Sequence, residues 1–455
     1  MTNLEKWQAY TDRLPSPQNY INWGWYYLIA CSLQRRVWIG DDTQQIFPNQ
    51  YNIFVGLPGI GKSLVIKEIA YFLNYWKLKD RIKPEDKSLS QDQLATAHSV
   101  QEADLQNAQK DEMQAKNNKA DFFEPLLIPI AADATTYEAL VEAVAESYMR
   151  INYVEFDEKE QKNKLKIYGH ASLCFCLDEL ASLLRKRTDD TVNYLLGLYN
   201  CPVDYTYKTK TQGKDRVRRG CLNIIGGTTP SFMRSIFNDN LIGEGFASRT
   251  FFIYAAKNRK HVCTIRALTP DEIVHRASLL EHIRKLTTLF GSIKKTPDVE
   301  SFIQKWWCEF NENEIDKKPI KLRDYYARKN LHMQKLAIAI HFSDSLDMNI
   351  PLARFQDAMD FLSDEEKRMH LALTLESATP VAKIANKITD MLQTGEKNYV
   401  EIVCETIGIG DKKQLEEALD FLQETDQINV DTAINEKTGK TTILYSLKIK
   451  VNGEL

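Results

Sequence analysis

Eight consecutive residues, Gly56-Leu57-Pro58-Gly59-Ile60-Gly61-Lys62-Ser63, place glycines, one lysine and one hydroxyl at the spacing G-x-x-x-x-G-K-[ST]. Glycines let backbone N–H groups turn toward phosphate oxygens, a lysine in this place reaches the β/γ oxygens, and the Ser63 hydroxyl can join a Mg²⁺ shell. ATP with Mg²⁺ is the expected ligand, contacted by Gly56, Pro58, Gly59, Ile60, Gly61, Lys62, Ser63 and Leu64. A hydrolytic site also needs carboxylates. Asp178-Glu179 ends the apolar run Leu173 to Leu177, so Asp178 is expected in the Mg²⁺ shell and Glu179 as the base that orients and deprotonates water. The same pair could instead open the helix that follows it.

Three further features could complete such a site. The run Leu222 to Gly227 ends at Thr228-Thr229-Pro230, which would set a hydroxyl beside the γ-phosphate; Thr228 is preferred, with Asn223 and Thr229 as alternatives and a Thr-Pro helix start as the bland reading. Gly243 to Tyr254 is a glycine-rich turn carrying Arg249 into an apolar strand, the rigid mounting that an arginine finger requires. Arg328 is a weaker candidate for a second sensing arginine. Between Tyr205 and Arg219 alternating residues predict a β-hairpin in which positions 208–219 hold six basic residues against one acid. Lys208, Lys210, Lys214, Arg216, Arg218 and Arg219 suit sequence-independent contact with DNA phosphates, and the tyrosines could stack on bases.

These residues need a scaffold of strands ending in one plane. Ile53-Phe54-Val55 before the glycine loop, Leu126 to Ala132, Leu173 to Leu177 and Leu222 to Gly227 read as continuous apolar strands, and helical stretches lie between them. The expectation is an α/β protein with a P-loop core over 51–265 built on a parallel sheet. Residues 1–50 read as a helical lead-in (Tyr20 to Gln34) with a strand at Arg36 to Ile39. Thr135 or Thr136 is an N-cap for a helix Tyr137 to Arg150, and Asn152 to His170 is a polar connection. Residues 80–121, polar with no apolar stripe, read as an insertion. From 266 to 378 a helical lid is predicted, with Thr269-Pro270 and Thr296-Pro297 as helix openers. Residues 379–455 read as three helices and a β-hairpin turning at Asn435 to Lys440, a winged-helix-like module.

Composition narrows the class. The chain of 455 residues is 43% hydrophobic and 27% charged, as in globular proteins of several domains. The longest apolar candidate, Trp23 to Leu33, is too short to span a bilayer, and Glu5, Lys6 and Asp12 do not suit a secretory leader, so a cytoplasmic protein with no membrane partner is expected. Net charge is −3, so nucleic-acid affinity would have to be local. Of eight cysteines, Cys174 and Cys176 fall on one buried face of a strand and read as structural.

Together, Trp38-Ile39 before the loop strand, Thr136 to Leu140, Asp178-Glu179-Leu180, Leu195 to Tyr199 with the basic hairpin, Ile225 to Pro230 and Gly245 to Arg249 resemble a family of P-loop ATPase domains of the AAA+ type. That family is frequent in phages, plasmids and other mobile elements, often beside primase modules; the resemblance covers roughly residues 20–375. The Ser248-Arg249 turn, the hairpin before the Thr228 strand and the C-terminal module are also similar to the minichromosome-maintenance helicases. The resemblance implies a hexameric ring in which Lys62, Ser63, Asp178 and Glu179 act within one subunit, Arg249 acts on its neighbour, and the hairpin tracks single-stranded or forked DNA. Neither a primase segment nor the zinc-binding domain of the cellular helicases is present in the sequence. An AAA+ loader or remodeller acting on a replication protein, or an ATP-switched DNA-binding regulator, are the alternatives.

Overall fold

The computed structural model describes residues 1–41, 44–79, 128–131, 136–157, 162–184, 188–209, 213–233, 244–318, 322–374, 380–392, 395–425, 427–434 and 441–448. The chain divides into two compact units, Met1–Ala372 and Leu373–Leu455. Strands of the first unit are β1 (Val37–Ile39), β2 (Tyr51–Val55), β3 (Tyr148–Asp157), β4 (Lys162–Leu177) and β5 (Asp204–Thr209). They continue with β6 (Gly213–Arg218), β7 (Gly220–Thr228), β8 (Phe251–Tyr254), β9 (Gly291–Lys295) and β10 (Asn349–Ile350).

The main sheet has the order β3-β4-β7-β2-β8. Four of its strands, β4, β7, β2 and β8, run parallel, and β3 pairs antiparallel with the first part of β4. Every residue of β2 and β7 is buried, as strands covered on both faces must be. Helices Gln18–Leu33 and Lys62–Lys79 share one face: Tyr20 stacks on Phe54, and Gly24 lets Val65 and Ile69 close in. Helix Thr188–Tyr199 lies on the other face, where Tyr51 donates to the Leu195 carbonyl and Leu198 packs over Gly220. Helix Tyr137–Glu146, capped by Thr136, meets it there through the Tyr137–Tyr194 ring contact.

Residues 1–50 hold the expected helix and strand, and helix Gln18–Leu33 is buried on nearly all sides, its Tyr27 hydroxyl donating to the Phe175 carbonyl inside β4. Several expectations are corrected. The helix predicted to Arg150 ends at Glu146, and the polar connection that follows is largely the β3–β4 ladder, Tyr148↔Ala171 through Asp157↔Lys162. Nor is 266–378 wholly helical, because β9 pairs with β1 and β10 in a second parallel sheet. Thr269 closes a capping box with Glu272 above Pro270, whereas Thr296 makes no side-chain cap bond.

In the second unit helices Pro380–Leu392, Tyr399–Thr406 and Lys412–Glu424 pack around Ile388, Ile402, Leu415, Ala418 and Leu422. Strands β11 (Lys397–Asn398), β12 (Ile428–Ile434) and β13 (Thr441–Leu447) form an antiparallel sheet in the order β11-β13-β12. Two of its helices begin with reciprocal caps, Asn398 with Glu401 and Asp411 with Gln414. The insertion 80–121, the turn Asn435 to Lys440 and Thr135 lie outside the described residues. Among the described residues no helix is long and apolar enough to cross a membrane.

Candidate active site

The loop Gly56–Gly61 joins the C-terminal end of β2 to helix Lys62–Lys79. Gly59 and Gly61 have φ of +81° and +84°, left-handed values that a side chain would strain, and the space beside Gly59 is open. The first N–H groups of the helix have no acceptor within it, so the loop mouth gathers donors and the positive end of the helix dipole. Two distant residues brace the loop. Ser16 Oγ donates to the Gly61 carbonyl at 2.8 Å, and Asn258 Nδ2 donates to the Gly59 carbonyl at 3.4 Å. Pro58 is exposed, Ile60 anchors the loop in the core, and Ser63 and Leu64 are half-buried in the first helical turn.

Lys62 is buried and curls onto its own loop, its Nζ donating to the carbonyls of Gly56 at 2.6 Å and Leu57 at 3.0 Å. Burial lowers its pKa below the usual lysine value, while the Glu179 charge opposes that shift. Asp178 and Glu179 are exposed at the end of β4, with Asp178 3.6 Å from Lys67 Nζ. Their turn is pinned to β7: Leu180 N donates to the Gly227 carbonyl at 2.7 Å, and a Cβ on Gly227 would lie 2.6 Å from the Asp178 carbonyl oxygen.

Since β7 lies between β2 and β4, its C-terminal end arrives between the lysine and the carboxylates. Gly56 N donates to the Thr228 carbonyl, and the Thr228 Oγ1 is buried without a hydrogen-bond partner. Thr229 instead caps the short helix after it, accepting from Phe232 N at 3.3 Å. Asn223 lies five residues earlier in β7, where its Oδ1 accepts from Gln50 N. Of the three, Thr228 is the one whose backbone is bonded to the glycine loop.

Arg249 stands at the other end of the sheet. It precedes β8, whose Phe251 pairs with Asn52, so about 13 Å of parallel strand separates it from the glycine loop. Among the described residues its Nη1 donates to the Gly245 carbonyl at 2.9 Å and, at 3.4 Å, to Ser248 Oγ, and its Nε has no partner. Its guanidinium lies over the Tyr199 ring. Burial and the charge of nearby Arg328 lower its pKa.

The basic hairpin β5–β6 rises from the same end, with the register Asp204↔Arg218, Thr206↔Arg216 and Lys208↔Lys214. This alternation puts Lys208, Lys214, Arg216 and Arg218 on one face. Arg218 is exposed, and Arg216 is held 2.9 Å from Asp204, whose carboxyl pKa is lowered by that bond. Arg219 turns away from that face, and at φ +50° its guanidinium lies over Tyr168 and bonds the Gly169 carbonyl. Tyr205 is not free to stack on a base, since it packs on Tyr194 and over Gly197. Lys210 lies outside the described residues.

The braces Ser16 and Asn258 are not evident in the sequence; the one available signal is Pro15-Ser16-Pro17, a stiff segment with a hydroxyl in the middle. No protein-family model matches the chain, and no curated protein matches it.

Proposed function

We propose that the chain is an ATP-driven, ring-forming DNA translocase or helicase of the AAA+ type that hydrolyses ATP where two copies meet. The observation that carries this reading is the convergence of the glycine loop, Asp178-Glu179 and the orphaned Thr228 hydroxyl at the carboxyl ends of β2, β4 and β7. Open parallel sheets bind ligands at such edges. The left-handed glycines, the open space beside Gly59 and an unpartnered hydroxyl fit a triphosphate. Among the described residues no cluster of three or more metal-ligating side chains occurs. Mg²⁺ needs only one or two protein ligands when phosphates and waters supply the rest, so Ser63 and Asp178 suffice. When bound, Mg²⁺ would neutralise charge developing between the β- and γ-phosphates.

The chain's own residues then divide the work. Lys62 leaves its loop carbonyls for the phosphates, Glu179 takes the proton of the attacking water, and Thr228 orients that water or the γ-phosphate. Arg249, about a strand's length away, serves the site of a neighbouring copy, with Arg328 beside it; this supports a ring, in the simplest case a hexamer. Arg218, exposed on the hairpin, offers positive charge to an anionic strand lying across it. The second unit reads as a winged helix.

Glu179→Gln tests the reading: ATP should still bind, turnover should fall by about 10²–10⁴-fold, and unwinding of forked DNA should cease. Unchanged hydrolysis in this variant, or wild-type protein that neither unwinds DNA nor responds to it, would reject the proposal. One observation favours a second reading, a loader that docks a replication protein. The third helix of the second unit exposes Glu416, Glu417, Asp420 and Glu424 against Lys412 and Lys413, a face suited to a basic partner surface more than to DNA. Reversal of Arg216 and Arg218 to Glu separates the two, since only a DNA motor loses DNA-stimulated turnover.

A further inference from the structure

The basic hairpin is bracketed by two cysteines. Asp204 pairs with Arg218, and Arg219 N donates to the Val203 carbonyl at 2.7 Å. Cys201 and Arg219 take left-handed backbone, φ +53° and +50°, so the ladder ends there, with Cys201 and Cys221 just beyond it. Arg35 ties the two strands at this level, its Nη1 donating to the carbonyls of both Cys201 and Gly220. One nitrogen bonding both carbonyls holds the two backbone segments side by side at the foot of the hairpin. Cys201 and Cys221 are buried in one cluster with Phe47, against which Trp38 packs.

We propose that Cys201 and Cys221 form a redox-active dithiol that a small, uncharged hydroperoxide converts to a disulfide, closing the foot of the basic hairpin covalently. Nothing in this chemistry depends on the proposed motor function.

Burial opposes ionisation of Cys201, but the Cys221 thiol as donor and the charges of Lys335 and Arg35 bring its pKa down to about 7. Lys335 is itself buried, its Nζ held by the Phe47 carbonyl and by Asn49 Oδ1, to which the Cys201 thiol also donates. A thiolate beside fixed cations is the reactive form of cysteine. The Cys201 sulfur attacks one peroxide oxygen, the O–O bond breaks, and the departing oxygen takes up the proton Cys201 had released, leaving as water or an alcohol. The Cys221 thiol then attacks the sulfenic sulfur, the S–O bond breaks, and its hydroxyl departs with the Cys221 proton as water. Two thiols lose two electrons and two protons to one hydroperoxide. Burial selects the oxidant: hydrogen peroxide fits, and glutathione disulfide, large and charged, does not.

A contrasting set shows why these two are chosen. Cys31, in helix Gln18–Leu33, neighbours Cys174 and Cys176, but burial and those thiols push its pKa well up, so it stays protonated.

The test is to treat the full-length protein, carrying Cys263→Ser, Cys308→Ser and Cys404→Ser to remove the exposed thiols, with hydrogen peroxide or with glutathione disulfide. Remaining thiols are then alkylated and the linked peptides mapped without reductant. A 201–221 linkage from peroxide, reversed by dithiothreitol and much slower with glutathione disulfide, is expected. Cys221→Ser should leave a trappable sulfenic acid on Cys201, and Cys201→Ser should leave none on Cys221. Both thiols still reduced after peroxide in folded protein, or linkage forming equally among Cys31, Cys174 and Cys176, would overturn the proposal.

Discussion

The Thr228 hydroxyl is fully enclosed and has no partner, an arrangement that costs about 1–3 kcal/mol in a folded protein. Thr228→Val keeps the shape and removes the orphan, so the melting midpoint should hold or rise while ATP turnover falls by about 10²-fold. A clear loss of stability in calorimetry would show that the hydroxyl is satisfied without ligand. Gly227→Ala should act by another route, since its methyl would press on the Asp178 carbonyl and part the carboxylates from β7; hydrolysis should fall with ATP binding retained, as measured by titration beside turnover. The glycine loop and the acidic pair were legible in the sequence because each is a contiguous run. The choice among Thr228, Thr229 and Asn223 was not, because it turns on which end of a strand faces the loop. Ser16 and Asn258 were hidden for a simpler reason, lying 45 and 199 residues from the glycines they hold.

Helix Thr188–Tyr199 supports the basic hairpin through Gly197, where a Cβ would lie 2.5 Å from the Tyr205 ring. Gly197→Ala should therefore displace the hairpin and lower DNA-stimulated turnover, while turnover without DNA stays near wild type. Helix Lys329–Asp344 is joined to helix Leu352–Thr374 by Lys329 and Glu366, 2.7 Å apart and both buried. Lys329→Met leaves a lone buried carboxylate and should cost about 3–5 kcal/mol in urea unfolding, much of it regained on adding Glu366→Leu. Strands covered on both faces were evident as apolar runs. The β3–β4 ladder was not, because its outer part is solvated on both faces: Leu165 and Ile167 are exposed along with Lys166, and the mixed stretch reads as a polar connection. β9 and β10 are too short to carry a period, and β1, their partner in sheet order, comes more than 250 residues before β9 in the chain.

At the scale of the whole molecule, two buried histidines set a pH response. Burial takes His170 and His332 from the usual 6.5 down to about 3, so the unfolded chain binds protons between those values that the folded chain does not. Their contribution should be complete above pH 6.5 and be lost as pH drops toward 3, by about 1.4 kcal/mol per pH unit for each histidine. Urea midpoints at neutral pH and in mild acid would show the slope, and His170→Gln should reduce it. Separate expression of Leu373–Leu455 should give a cooperatively melting fragment, given its own closed core. The boundary was visible as a change of pattern, whereas the union of the first 50 residues with the sheet was not, since helix Gln18–Leu33 looks alike at a periphery or in a core. A mechanical property follows from β7. It is nine residues long, hydrogen-bonded along both edges, and at about 3.3 Å per residue runs some 26 Å from the foot of the basic hairpin to Thr228. An extended chain of planar peptides has no slack, so β7 behaves as a tie rod: a small pull at Thr228 reaches the hairpin foot nearly undiminished, as travel and not as strain.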